Sequence, residues 1–175
     1  MEELYLMEPT EEYLEQITEY RDEFLKADSS MDGTSALRLF EDAKEWLDHL
    51  KEYSDEKTIP EGKVPSTLFL FMRRSDNRIL GMIDIRHRLN DYLLNYGGNI
   101  GYSIRPSERQ KGYAKEMLRQ ALPFCKSLGL DKVLITCNDY NEGSRRTILA
   151  NGGVFENTSY EPDEKMTLER YWIKL

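Results

Sequence analysis

The stretch that most constrains this chain is Arg109-Gln110-Lys111-Gly112-Tyr113-Ala114, because the hydrophobic period changes across it. Before it, Asn99 to Arg105 alternates Ile100, Tyr102 and Ile104 against Gly101, Ser103 and Arg105, the period of a strand. Pro106 stops that strand. After it, Ala114, Met117, Leu118, Ala121, Leu122, Cys125 and Leu128 recur at helical spacing, so a helix opens at about Gly112. A strand, a short loop and a helix in this order aim the unpaired N–H groups of the first helical turn at whatever lies above them. The helix macrodipole adds positive potential there. Gly112 and Ala114 keep side chains away from the backbone, and Arg105, Arg109, Lys111 and Lys115 add charge around the same point. The segment from Arg109 to Lys115 therefore reads as a phosphate or pyrophosphate site. The plainer reading is a surface helix with a polar first turn. The spacing fits neither the Gly-x-Gly-x-x-Gly dinucleotide fingerprint nor a P-loop ending in Gly-Lys-Ser/Thr.

Composition narrows the partners. The 175 residues are most simply one domain, 1–175, with one core, and 39% hydrophobic residues suffice for it. A net charge of −8, from 24 basic and 32 acidic residues, argues against nucleic acid, which needs a broad basic face. One basic spot on an acidic protein suits a small anionic cofactor and is compatible with a cationic substrate. Cys125 falls on an apolar helical face and Cys137 in an apolar strand, so both read as buried small hydrophobes. His49 and His87 lack ligand spacing, and no metal is expected. Met1-Glu2-Glu3 does not open a signal peptide, and no run approaches the ~18 apolar residues of a membrane span, so the expected compartment is the cytoplasm.

Elements follow from periodicity. Leu4 to Met7 reads as a strand; Thr10 reads as an N-cap for a helix to about Lys26; a second helix runs from about Ala36 to Tyr53. Thr67 to Arg73 and Ile79 to Arg88 form a hairpin turning at Asp76-Asn77, and Asn90 to Gly98 connects it to the strand before the loop. The central helix carries Pro123, which should bend it near Arg119, and ends before Gly129. Lys132 to Cys137 reads as a buried strand and Glu142 to Asn151 as a short helix. Val154 to Tyr160 and Met166 to Lys174 are the closing strands. The order predicts an α/β domain with helices on both faces of a single mixed, twisted sheet.

Arg109-x-x-Gly112-x-Ala114, after a strand ending in Arg105-Pro106, resembles the coenzyme A loop of the GNAT superfamily of acyl-CoA N-acyltransferases. Asn141-Glu142-Gly143-Ser144 is similar to that family's Asn-x-x-Ser/Ala motif, and Gly152-Gly153-Val154-Phe155 to its Gly-Phe ending. The element order matches the GNAT fold over nearly the whole chain, with motifs between about residues 67 and 155. The resemblance implies acetyl-CoA as co-substrate, its pyrophosphate over the backbone of Gln110, Lys111, Gly112, Tyr113, Ala114 and Lys115, with Arg109 adding charge. It implies a pantetheine arm along the strand ending at Ile104, as an added strand would lie, and further coenzyme contacts at Asn138, Asn141 and Ser144. The acetyl thioester would face the gap before Lys132 to Cys137. An amine, on a small molecule or a peptide, would attack it directly in a ternary complex. The first two helices and the Asn90 to Gly98 connection, with Trp46, Tyr53, Tyr92 and Tyr96, would shape the acceptor pocket. A homodimer is compatible with the resemblance.

The chain departs from the family where the proton chemistry is expected. Ile148 stands where many members carry a tyrosine acid, and Asn99 where a glutamate base is often found. Tyr140 is the nearest substitute acid. Asp84, in Ile83-Asp84-Ile85, is the candidate base near the acceptor; its plainer reading is a salt bridge to Arg86 or Arg88. A second function class is a GNAT-like domain that binds acyl-CoA without turnover.

Overall fold

A computed structural model describes all 175 residues. The chain runs β1 (Leu4–Met7), α1 (Leu14–Lys26), α2 (Ala43–Tyr53), β2 (Ser66–Arg73), β3 (Arg78–Arg86), β4 (Ile100–Ile104), α3 (Tyr113–Ser127), β5 (Lys132–Asn138), α4 (Glu142–Ala150), β6 (Val154–Glu161) and β7 (Met166–Lys174). This is the expected α/β order. No helix is long and apolar enough to cross a membrane.

Two local expectations are corrected. The second helix begins at Ala43 and not at Ala36. Leu37–Leu39 forms a separate 3-10 turn and Phe40 is extended, after which Asp42 caps α2 by accepting from the Lys44 N–H at 2.9 Å. A short-range cap thus overrides an apolar period that runs on through Leu37, Phe40 and Ala43. Thr10 precedes a 3-10 turn, Glu11–Tyr13, and its side chain makes no capping bond. The Asn90 to Gly98 connection contains a π-helical turn, Leu93–Gly97. α3 contains Pro123 and ends, as expected, before Gly129, which has φ 84°.

The strands form two antiparallel ladders, ordered β1-β2-β3-β4 and β5-β7-β6, where one sheet was expected. The ladders meet at one point. The Asn99 N–H donates to Leu134 O at 2.7 Å, and the Leu134 N–H donates to Asn99 Oδ1 at 2.8 Å. A side-chain oxygen here stands in for the carbonyl of a neighbouring strand. No ladder pairs β4 with β5 beyond it, which leaves a gap between them.

Two cores hold the layers. The larger packs α3 and Ile148 of α4 against one face of both sheets, through residues such as Ile83, Ile104, Met117 and Ile135. The smaller packs α1 and α2 on the other face of the first sheet, around Phe24, Trp46, Leu70 and Met82. Each fully buried side chain of this size contributes roughly 1.5–3 kcal/mol. Trp46 also donates to Thr34 O at 2.8 Å, which ties α2 to the loop after α1.

Candidate functional site

The loop between β4 and α3 turns through two left-handed residues, Gln110 (φ 63°) and Gly112 (φ 82°). Such alternation folds successive N–H groups into a concave, anion-accepting surface. No side chain caps α3, and its first internal bond runs from Glu116 N–H to Gly112 O at 3.3 Å. The N–H groups of Tyr113, Ala114 and Lys115 are therefore without helical partners. A Cβ on Gly112 would meet nothing within 4 Å, so the space above the loop is open and the glycine answers to its φ angle.

The loop is anchored from below by Glu108, which sits in a 3-10 turn after Pro106 and is 6% exposed. Its carboxylate accepts from Arg73 at 3.2 Å, Arg78 at 3.0 Å and Lys111 at 2.9 Å, and Arg73 also donates to the Tyr113 hydroxyl at 3.2 Å. Burial alone would raise the Glu108 carboxyl, but hydrogen bonds from Lys111 and Arg73 outweigh it and hold the group at about 2. A carboxyl depressed on folding stabilises the fold above its ordinary value and loses that contribution as pH falls through the folded one. Glu108→Gln is thus expected to lower the thermal midpoint at neutral pH, with the deficit shrinking between 4.5 and about 2. A deficit that stays constant in acid would show that the charge is not what stabilises.

The basic residues are distributed differently from expectation. Arg105 is 3% exposed, donates to Ile79 O at 3.0 Å and pairs with Glu23 at 3.3 Å. Its N–H completes the β3–β4 ladder at Leu80 O, which turns its side chain in toward α1 and away from the loop surface. Arg109 lies over the Phe24 ring and bridges Ile104 O at 3.0 Å to Ser29 Oγ at 2.9 Å. Lys111 is held by Glu108, and Lys115 is exposed on the first turn. Tyr113 is buried and Ala114 half-buried, so what these two offer the loop surface is backbone.

β4 supplies the wall of the gap. Bonds from Arg86 N–H to Asn99 O and from Arg105 N–H to Leu80 O fix the phase of the ladder. Gly101 and Ser103 therefore bond to β3, while the amide groups of Tyr102 and Ile104 face the β5 side. Ile104 O is taken by Arg109; its N–H, and both groups of Tyr102, have no strand partner there. The Tyr102 hydroxyl crosses to α4 and meets Ser144 Oγ at 2.7 Å, and burial pushes that hydroxyl well up. Asn141 Oδ1 accepts from the Ser144 N–H at 3.1 Å and so caps α4. The loop, the β4 edge, Asn141 and Ser144 thus surround one gap.

Asn138 ends β5; its Nδ2 donates to the Tyr140 hydroxyl at 2.9 Å, and its Oδ1 is buried without a partner. Tyr140 is 77% exposed in the turn after β5. Ile148 is fully buried in the larger core. Asp84 is 5% exposed on β3, one strand from the gap, and faces Arg86 Nε at 3.6 Å. Burial pushes its carboxyl up and Arg86 draws it partly back. Gly33 packs directly on Gly101, the β4 residue opposite Asp84. The candidate base is thus paired with Arg86, the plainer reading of an acid in that strand. Burial raises the Cys125 and Cys137 thiols to about 11, which suits packing and not nucleophilic attack.

Sequence reasoning missed Tyr102 and Glu108 as parts of this site. Tyr102 stood in the alternating strand, but its link to Ser144 spans 42 residues. Glu108 stood two residues past Pro106 with no local sign of Arg73, 35 residues away.

A family model described as acetyltransferase (GNAT) domain matches residues 3–154. A search of curated proteins gave no match. Among solved structures, the ribosomal-protein-S5-alanine acetyltransferase from Vibrio fischeri is similar with a TM-score of 0.71 and 11% identity, covering 99% of this chain and 94% of that one. A spermidine N-acetyltransferase SpeG chimera from Vibrio cholerae and hSSAT has a TM-score of 0.64 and 15% identity, covering 98% and 95%. The structure of yncA from Salmonella typhimurium with its cofactor acetyl-CoA has a TM-score of 0.64 and 10% identity, covering 98% and 94%. At these identities the structural likeness speaks for the fold.

Proposed function

We propose, from the premise that the chain belongs to the GNAT acetyltransferase family, that it transfers an acetyl group from acetyl-CoA to a primary amine. The observation that carries this reading is the uncapped start of α3 above an open Gly112, in line with a β4 edge whose amides lack partners. An anionic pyrophosphate suits the first, and an extended amide-bearing arm suits the second. The N–H groups from Gln110 to Lys115 would hold the phosphates, with Lys111 and Lys115 adding charge. The free amides of Tyr102 and Ile104 would line the arm, with Asn141 and Ser144 on the far side of the gap. Arg109 acts from behind, by fixing Ile104 O to Ser29 in the loop after α1.

Acetyl-CoA would supply an activated thioester. The chain's part is to bring an amine to it and to exclude water, because neither cysteine is placed to form an acyl-enzyme. Positioning is the larger contribution, and acid–base help from a side chain is worth at most ~10²–10⁴-fold. Tyr140, exposed and bonded to Asn138, is a weak candidate acid. Tyr140→Phe is expected to lower kcat by less than ~10-fold; a loss of ~10³-fold with unchanged acetyl-CoA affinity would make it the acid.

The acceptor is a small-molecule or peptide amine. The reading is tested by acetyl-CoA with spermidine, butylamine and a peptide bearing a free amino-terminal alanine, read as thiol release and product mass. The expected result is steady turnover with at least one amine. Tight acetyl-CoA binding with no turnover on a broad amine panel would favour the non-catalytic reading.

A further inference from the structure

Only two buried side-chain oxygen or nitrogen atoms in this chain lack a hydrogen-bond partner, Asp84 Oδ1 and Asn138 Oδ1. Leaving a buried polar atom unpaired costs stability, so each calls for a reason. Strand alternation places both. Along β5, Val133, Ile135 and Cys137 join the core under α3, so Leu134, Thr136 and Asn138 project to the opposite face. On that face Thr136 Oγ1 donates to Tyr96 O at 2.6 Å, and Arg170, paired with Thr136 across the ladder, donates to Leu94 O at 2.7 Å. Both bonds hold the π-helical turn, and Asn138 is the next residue in the same row.

Asp84 lies on the corresponding face of the first sheet, beside Met82 of the smaller core. The two unpaired oxygens therefore flank β4 on one face. The groups that would hold the coenzyme arm, Ser144 and Asn141, approach from α4 on the other.

We infer that Asn138 belongs to the acceptor side, where its Oδ1 accepts a hydrogen bond from the N–H of the attacking amine. The Asn138 Nδ2 is already given to the Tyr140 hydroxyl, so the oxygen is the atom left to bind, and an amide oxygen recognises a donor and not an anion. An amine nucleophile carries N–H beside its lone pair, so it can be held by one and attack with the other. Asp84 contributes to that face through Arg86, which donates to Gly97 O at 3.1 Å and Gly98 O at 3.3 Å behind the π-helical turn. The inference rests on the reading under Proposed function and moves Asn138 from the coenzyme to the amine.

The test is Asn138→Leu, with Asn138→Ala as a second variant, in the full chain. Three quantities are read: acetyl-CoA affinity by calorimetry, KM for whichever of spermidine, butylamine or the alanine peptide the parent turns over, and the thermal midpoint. The inference expects KM for the amine to rise by about 10-fold or more, because the bond is lost where water is excluded. It expects acetyl-CoA affinity to stay within about 2-fold, and the leucine variant to melt close to the parent, since it loses a buried unpaired oxygen along with the exposed bond to Tyr140. Equal losses of coenzyme and amine binding would return Asn138 to the coenzyme. An unchanged KM, or a fall in midpoint in both variants, would also overturn the inference. A parent that binds acetyl-CoA and acetylates none of the probes contradicts the proposed function before any variant is made, and the inference falls with it.

Discussion

Gly112→Asp is expected to weaken acetyl-CoA binding by at least ~10-fold, about 1.4 kcal/mol. Two effects add. Gly112 sits at φ 82°, which L side chains rarely adopt, so the substitution strains the turn that aims the N–H groups of α3. The new carboxylate would also stand in the open space where phosphate is proposed to lie, at the positive end of a 15-residue helix. Gly112→Ala carries the strain without the charge and should lose less. Because a Cβ at this position touches nothing within 4 Å, both variants should fold. Calorimetry on folded protein is the check, and an unchanged affinity in the aspartate variant would remove the loop from the coenzyme site.

Gly98→Ala acts on the other wall of the gap and should destabilise the fold by about 2–3 kcal/mol. Gly98 has φ 68°, and a Cβ there would lie 2.6 Å from Leu134 O. That oxygen accepts the Asn99 N–H, the bond that closes the two ladders together. The methyl group would have to displace backbone, not a flexible side chain, so relief requires β4 and β5 to part at their one junction. A lower denaturation midpoint, with weakened acetyl-CoA binding in the fraction that remains folded, is the expected result. Parent-like stability would mean that the junction yields without cost.

The reach of sequence reasoning followed the range of the interactions. The strand, loop and helix around Gly112 were legible because the apolar period switches from two to about 3.6 within ten residues, with Pro106 and Gly112 as punctuation. The Asn141-x-x-Ser144 spacing was legible, and the cap it forms is a contact over three residues. The start of α2 was misread because Leu37, Phe40 and Ala43 continue a helical period across a real break, while the Asp42 cap that marks it was overlooked. Arg105 was misplaced because its direction depends on the ladder to Leu80 and on Glu23, 82 residues away. The division into two ladders was not visible, since it depends on the Asn99 side chain replacing a main-chain acceptor. Asp84 was correctly noted as an acid among apolar neighbours, and its Arg86 partner lies two residues on. The packing of Gly33 on Gly101, opposite Asp84, is announced by no local pattern.

The measurement that tests the account most directly is a crystal structure of the protein with acetyl-CoA. The account predicts the pyrophosphate on the N–H groups from Gln110 to Lys115, the pantetheine arm bonded to the free amides of Tyr102 and Ile104, and the thioester between β4 and β5 on the side of Asn138. A coenzyme bound elsewhere, or one whose phosphates avoid the start of α3, would contradict it.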